Sequence, residues 1–227
     1  MGSMRLLRIV MKSPDPDRLG LFYASAFGLQ VSATGEGIEA QSKGSRLVFE
    51  RAAAPVVPYH FAFNISERKI EGAADWIRSR AVTLREPGSE IDIFHSDSWD
   101  ADSIYFSDPD GNIVELIARH SIPNPETSTF DVCDIGDVSE IGVPEDRAGD
   151  LRRRLISEAG LPAYGESSRE FLPLGDEHGL LIVVNEDRAW FPERRSPARR
   201  QALRVEAEHA GRAMFIADDG HEYELRF

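Results

Sequence analysis

Apolar and polar positions alternate along residues 5–12, with Leu7, Ile9 and Met11 on one face and Arg8, Val10 and Lys12 on the other. A helix start follows at Asp15-Pro16, with the aspartate at the N-cap and the proline in the first turn. Leu19, Phe22, Tyr23, Ala26 and Phe27 then recur at helical spacing, and Gly28 stands where a helix-ending glycine belongs. Three short strands are predicted around 30–33, 38–41 and 46–50, separated by glycine-bearing turns. Together these make one βαβββ unit.

The order restarts after Ala52-Ala53-Ala54-Pro55. Residues 59–65 alternate again, with Tyr59, Phe61 and Phe63 opposite His60, Ala62 and Asn64. Ser66 is placed to cap a helix whose apolar side holds Ile70, Ala73, Ala74 and Ile77. Strands are predicted at 82–84 and around 91–94, and then comes a hairpin over residues 104–117. Its turn is Asp108-Pro109-Asp110-Gly111, in which the aspartate caps, the proline presets φ and the glycine tolerates a left-handed backbone. In its second strand Ile113, Glu115 and Ile117 share one face and Val114 and Leu116 the other. A carboxylate flanked by isoleucines requires a cation, a metal or a hydrogen-bonding cavity. The repeat is also metric: Asp15 lies seven residues after Arg8, and Glu67 seven after His60.

Residues 122–136 are polar and proline-bearing and read as a linker between a domain of two units, residues 4–121, and a C-terminal part, residues 137–227. In that part a strand at 138–143, a helical stripe of Ala148, Leu151, Leu155 and Ile156, and strands at 170–174 and 180–184 suggest a third, diverged unit. Strands at 203–208, 213–217 and 223–227 read as a fourth unit stripped of its helix.

Composition narrows the function. A formal net charge of −13 argues against a broad nucleic-acid or anionic-membrane surface. No apolar run reaches membrane-spanning length and no signal-peptide core is present, so a cytoplasmic location is expected. Met1-Gly2-Ser3-Met4 has the look of a cloning remnant ahead of the natural start. Cys133 is the single cysteine, which excludes an internal disulfide or a multi-thiolate metal site.

The stretch Tyr105-Phe106-Ser107-Asp108-Pro109-Asp110-Gly111-Asn112-Ile113-Val114-Glu115-Leu116, set in repeated βαβββ units, resembles the last hairpin of the vicinal oxygen chelate superfamily. That group contains glyoxalases, fosfomycin and bleomycin resistance proteins and extradiol ring-cleaving dioxygenases. The resemblance implies an α+β fold whose units pair into a cupped, mainly antiparallel sheet, with the two units of residues 4–121 forming one cup. Its three-ligand members hold a metal with a histidine on the first strand of each unit and a glutamate on the last strand of the second. Those slots hold Arg8, His60 and Glu115. A guanidinium offers no lone pair to a metal, and Arg8 facing the cup would pair with Glu115 instead or hold an anionic substrate group.

Around that set, His95 could supply a replacement ligand or contact substrate, and Tyr105 could offer its hydroxyl to a substrate oxygen. Glu50 is a weaker ligand candidate, because the turn register favours Val48 for its slot. In the third unit Glu140 stands in the histidine slot and Val183 in the glutamate slot, and no metal site is expected there. His178, His209 and His221 are scattered on turns or strand ends. The arginines at 194–200 read as a solvated loop or, more sharply, as a contact for an anionic ligand.

Two functions therefore stand side by side. One is an enzyme in which His60 and Glu115 hold zinc, manganese, nickel or ferrous iron, polarising a small substrate that binds through adjacent oxygens in a lyase, isomerase or ring-cleaving dioxygenase reaction. The other is a metal-free protein that binds or sequesters a small molecule, as bleomycin resistance proteins do, with Arg8 in place of a metal ligand. A scaffold with a decayed site is the blander third. Assembly leans only slightly towards a homodimer, since the extra C-terminal units could supply pairing within one chain.

Overall fold

The alternating run near the N-terminus forms β1 (Arg5–Ser13), and Asp15 caps α1 (Pro16–Leu21) by accepting a hydrogen bond from the Arg18 amide at 3.2 Å. The computed structural model describes residues 3–123, 129–146 and 149–227. Helix α1 does not continue as an α-helix. It opens into a π-helical turn, Phe22–Ala26, in which the Phe27 amide reaches back to the Phe22 carbonyl at 3.1 Å. Three strands complete the unit: β2 (Gln30–Ala33), β3 (Gly37–Ser42) and β4 (Ser45–Arg51).

The second unit begins with β5 (His60–Ile65) and α2 (Ile70–Arg78). Ser66 was expected at the N-cap, but Lys69 is there and makes no side-chain cap. The Lys69 side chain is buried, and its ammonium meets Asp134 Oδ1 at 2.6 Å. The strands β6 (Val82–Thr83), β7 (Ile93–Ser96), β8 (Ala101–Ser107) and β9 (Ile113–Arg119) follow. The third unit comprises β10 (Val138–Glu145), α3 (Asp150–Ser157), β11 (Phe171–Asp176) and β12 (Gly179–Asn185). Ala148, assigned to the α3 stripe, lies outside the described residues, and Ile156 of that stripe is exposed. The tail is a meander of β13 (Ala202–His209), β14 (Arg212–Asp219) and β15 (Tyr223–Arg226).

These strands form two mixed, open sheets. One runs β15-β14-β13-β1-β4-β3-β2; the other runs β11-β12-β10-β5-β9-β8-β6, with β7 beside β8. The first two units therefore do not pair with each other as expected. The tail completes the first unit through β1 and β13, and the third unit completes the second through β5 and β10. The reason is one of edges. Strands β1 and β5 each have a parallel neighbour within their own unit and one free side, and an antiparallel strand from later in the chain fills it. One hydrophobic core lies between the sheets and takes in Ile9, Met11 and Phe49 from one, Phe61, Leu116 and Val183 from the other, and Tyr23, Phe27, Ile77 and Leu155 from the helical segments. Among the described residues, no helix is long and apolar enough to cross a membrane.

Candidate metal centre

The second sheet turns its other face to a cavity of about 450 Å³. Register brings three of its residues together. On β5, His60 lies opposite Ile113 of β9, and Ala62 lies opposite both Glu115 of β9 and Glu140 of β10. His60 and Glu115 thus share a floor with Glu140, and one ligand atom from each lies within 4.8 Å of the other two. His60 Nε2 is 3.7 Å from Glu115 Oε2 and 4.0 Å from Glu140 Oε2.

The imidazole is oriented by its other nitrogen. Nδ1 lies 3.2 Å from the Ile113 carbonyl, which can only accept, so Nδ1 carries the proton and Nε2 presents a lone pair to the carboxylates. Burial, together with the positive charge of Arg188, pushes the His60 pKa down to about 4, and the ring is neutral at pH 7. The carboxyls move the other way. Burial raises Glu115, against the opposing pull of the Ser103 and Tyr105 hydroxyls that face it. Burial, and then the proximity of Glu115, raises Glu140 to about 8, although Arg119 favours its charged form.

Arg119 is fully buried at the end of β9, two strand steps from Glu115 on the same face. It donates to Glu140 and to Asn64 Oδ1 at 3.2 Å, and its guanidinium lies 5.4 Å from the ring centres of Trp99 and Tyr164. With a proton held on one carboxyl, the other carboxylate and the Arg119 guanidinium balance, and a cation entering the cluster would displace that proton. A lone pair and two carboxylates of this kind suit a divalent cation bound by nitrogen and oxygen donors.

The remaining expectations divide. Tyr105 lines the cavity opposite Glu115 in the hairpin register, and burial raises its pKa. His95 lines the cavity only at its mouth. It is more than half exposed, its ring nitrogens lie 2.9 Å from Asp102 and 3.2 Å from Asp97, and it stands apart from the ligand cluster. Arg8 is in the other sheet, where its guanidinium meets Glu206 at 3.2 Å, and it neither faces Glu115 nor lines this cavity. Glu50 is likewise in that sheet, bound to Lys12 at 2.9 Å and to Arg204.

A register comparison of the two sheets explains Arg8. In the first sheet the positions equivalent to His60, Glu115 and Glu140 hold Arg8, Val48 and Arg204. Two guanidiniums and a valine provide no ligand for a metal. In the third unit Ile182, rather than Val183, faces the cavity, while Val183 belongs to the core. Glu140, expected to lie outside any site, stands beside His60 and Glu115 on the cavity floor. A bulge places Val138 opposite Phe63 and Glu140 opposite Ala62, so that Ser139 is the extra residue and Glu140 turns to the cavity while both Val138 and Ile141 remain in the core.

The comparisons with known proteins bear on the same elements. A family characterised by a glyoxalase-like domain matches residues 8–117. A catechol-2,3-dioxygenase of Bacillus subtilis is 34% identical over 108 residues, which make up 43% of this chain and 35% of that protein, so the match spans about a third of the relative's length. Among solved structures, a Bacillus subtilis protein proposed to be a dioxygenase superposes with a TM-score of 0.59 at 12% identity, covering 97% of this chain and 86% of its own. A glyoxalase I variant from Zea mays superposes with a TM-score of 0.53 at 18% identity, covering 96% of this chain and 90% of its own. These likenesses extend the fold over nearly the whole chain, including the third unit and the tail. The glyoxalase-like domain of residues 8–117, built of βαβββ units, belongs to the vicinal oxygen chelate superfamily.

Proposed function

We propose that the protein is a metal-dependent enzyme, with His60, Glu115 and Glu140 as ligands of one divalent cation and a small oxygen-bearing molecule as substrate. The observation that carries this reading is the convergence of three donors. Two carboxyls are buried beside a neutral imidazole whose lone pair faces them, and one ligand atom from each lies within 4.8 Å of the other two. A bound metal would supply Lewis acidity to adjacent oxygens of the substrate. The chain's own residues supply the rest: Tyr105 presents a buried hydroxyl beside Glu115, Arg119 fixes Glu140, and aromatic walls restrict water. Zinc, manganese, nickel and ferrous iron all suit the donor set. The choice between lyase, isomerase and dioxygenase chemistry follows from which metal and substrate bind. The competing metal-free binder relied on Arg8 inside the cup, and Arg8 belongs to the other sheet.

Calorimetric titration with each of the four metals, iron under anaerobic conditions, tests the proposal. The native protein is expected to bind one equivalent of at least one metal. His60→Ala, Glu115→Gln and Glu140→Gln should each weaken that binding on the order of a hundredfold, because each removes a donor and the two Gln changes also remove charge. A native protein that takes up none of the four metals would refute the proposal.

A further inference from the structure

The cavity has a second chemical feature, away from the carboxylates. Arg188, in the loop after β12, lines it half-buried, with its backbone clamped by Asn185 and Ala198 at 3.2 and 2.8 Å. Its guanidinium lies 4.7 Å from the Phe171 ring centre. Among the described residues it has neither an ion pair nor a side-chain hydrogen bond, although Glu170 is close enough to bear on its charge. Arg194 lines the same cavity and weighs against Arg188, and its nearest carboxylate, Glu86, is 3.9 Å away. Among the described residues Arg188 pairs with neither Glu115 nor Glu140, although its charge bears on His60. Two guanidiniums thus share one cavity, and Glu86 on its lining pairs with Arg194 but not with Arg188. Their mutual repulsion is the cost that a bound anion would remove.

The cavity walls set the remainder of the ligand. Phe94, Trp99, Tyr105, Phe171, Trp190 and Phe191 line it, and the buried indole N–H of Trp190 has no acceptor. Flat apolar surfaces of this kind suit a planar ring. We infer that Arg188, assisted by Arg194 at the rim, is the anchor for an anionic oxygen group, and that the substrate class is a small aromatic acid. A guanidinium fork matches a carboxylate or a phosphate through two parallel hydrogen bonds. This inference rests on the reading of the cavity as the substrate site, yet it does not require that a metal be bound.

Its test therefore uses the full chain in the presence of a chelator, followed by tryptophan fluorescence, because Trp99 and Trp190 line the cavity. The probes are benzoate, phenyl phosphate and the uncharged benzamide. At least one anion is expected to bind about tenfold more tightly than benzamide, the size of one charge-assisted hydrogen bond. The stronger anion identifies the group as carboxylate or phosphate. Arg188→Gln should abolish the preference, Arg188→Lys should retain part of it, and Arg195→Gln should leave it intact, since Arg195 is an exposed arginine that does not line the cavity. Circular dichroism checks that each variant folds, and the lysine variant decides the matter if the glutamine variant does not. Equal binding of anions and benzamide, no binding of any probe, or a preference that survives undiminished in both Arg188→Gln and Arg188→Lys would overturn the inference. Failure of metal binding would leave this result standing, and failure of this result would leave the metal titration standing.

Discussion

At His60 two contacts decide what the residue can do. The Ile113 carbonyl accepts a hydrogen bond from Nδ1–H, and burial keeps the ring neutral, so the remaining lone pair is directed at Glu115 and Glu140. Burial acts on these groups in opposite senses, and that gives the metal-free protein a pH signature. Between the folded pKa of His60, about 4, and its ordinary value of 6.5, the folded state binds fewer protons than the unfolded one, so this residue makes stability rise with pH. Between 4.5 and about 8, Glu140 makes the folded state bind more protons, so it makes stability fall as pH rises. The two oppose each other up to pH 6.5, and above it only the carboxyl contribution remains. The melting temperature of the metal-free protein should therefore drop between pH 6.5 and 8. Glu140→Gln should flatten that drop, as should a saturating divalent metal. Thermal denaturation across that range in chelating buffer checks it; a native melting temperature flat over the range would contradict the burial of an ionisable Glu140.

Strand parity made His60 and Glu115 legible from sequence, because an acidic residue between isoleucines stands out against a period of two. Arg119 had the same parity as Glu115 and could have been read from it. Glu140 was visible as the occupant of a histidine slot, but the β-bulge at Ser139 that turns it to the cavity leaves no local trace in the sequence.

The hairpin of β8 and β9 shows what a single element contributes. Asp108 is buried and its carboxylate accepts from the Asp110 and Asn112 amides, both at 3.0 Å, from Asn112 Nδ2 at 2.8 Å and from the Tyr23 hydroxyl at 3.0 Å. The turn is thereby joined to the π-helical segment of the first unit, and the positive φ of Gly111 closes it. Tyr105 and Glu115 face each other across this hairpin, so the turn fixes their register. Asp108→Ala would strand two buried side-chain donors, Asn112 Nδ2 and the Tyr23 hydroxyl. The expected cost is roughly 3 kcal/mol. Denaturant melts should register it as a lower midpoint at unchanged slope, with metal affinity falling alongside. A variant as stable as the native protein would show that the turn does not hold the site. At this scale the sequence was most readable: turn chemistry and alternation placed nearly every strand. It missed the start of α2, where Lys69 and not Ser66 stands at the N-cap and pairs with Asp134, a partner far along the chain.

For the whole molecule, unit pairing is the property that local pattern could not supply. Four unit-like segments were legible, yet which unit closes on which depends on matching distant edges, β1 to β13 and β5 to β10. Residues 4–121 expressed alone would leave both edges bare and remove the core residues that β10, α3, β12, β13 and β14 supply. That fragment is expected to self-associate or aggregate rather than persist as a cooperative monomer. Size-exclusion chromatography with light scattering and a urea melt check this, and a stable monomeric fragment would refute the dependence on later strands.

The pairing is nested like brackets, second unit with third inside first unit with tail, and this has a consequence for a chain made in one direction. Strand β10 leaves the ribosome well before β13, so the sheet that holds the metal centre can close while β1 still waits for its neighbour. During that interval the first unit must persist with an open edge, and the later strands, β13 to β15, protect a sheet that carries none of the three ligands. Ribosome-bound nascent chains should accordingly acquire a protease-resistant inner half before the outer half resists cleavage.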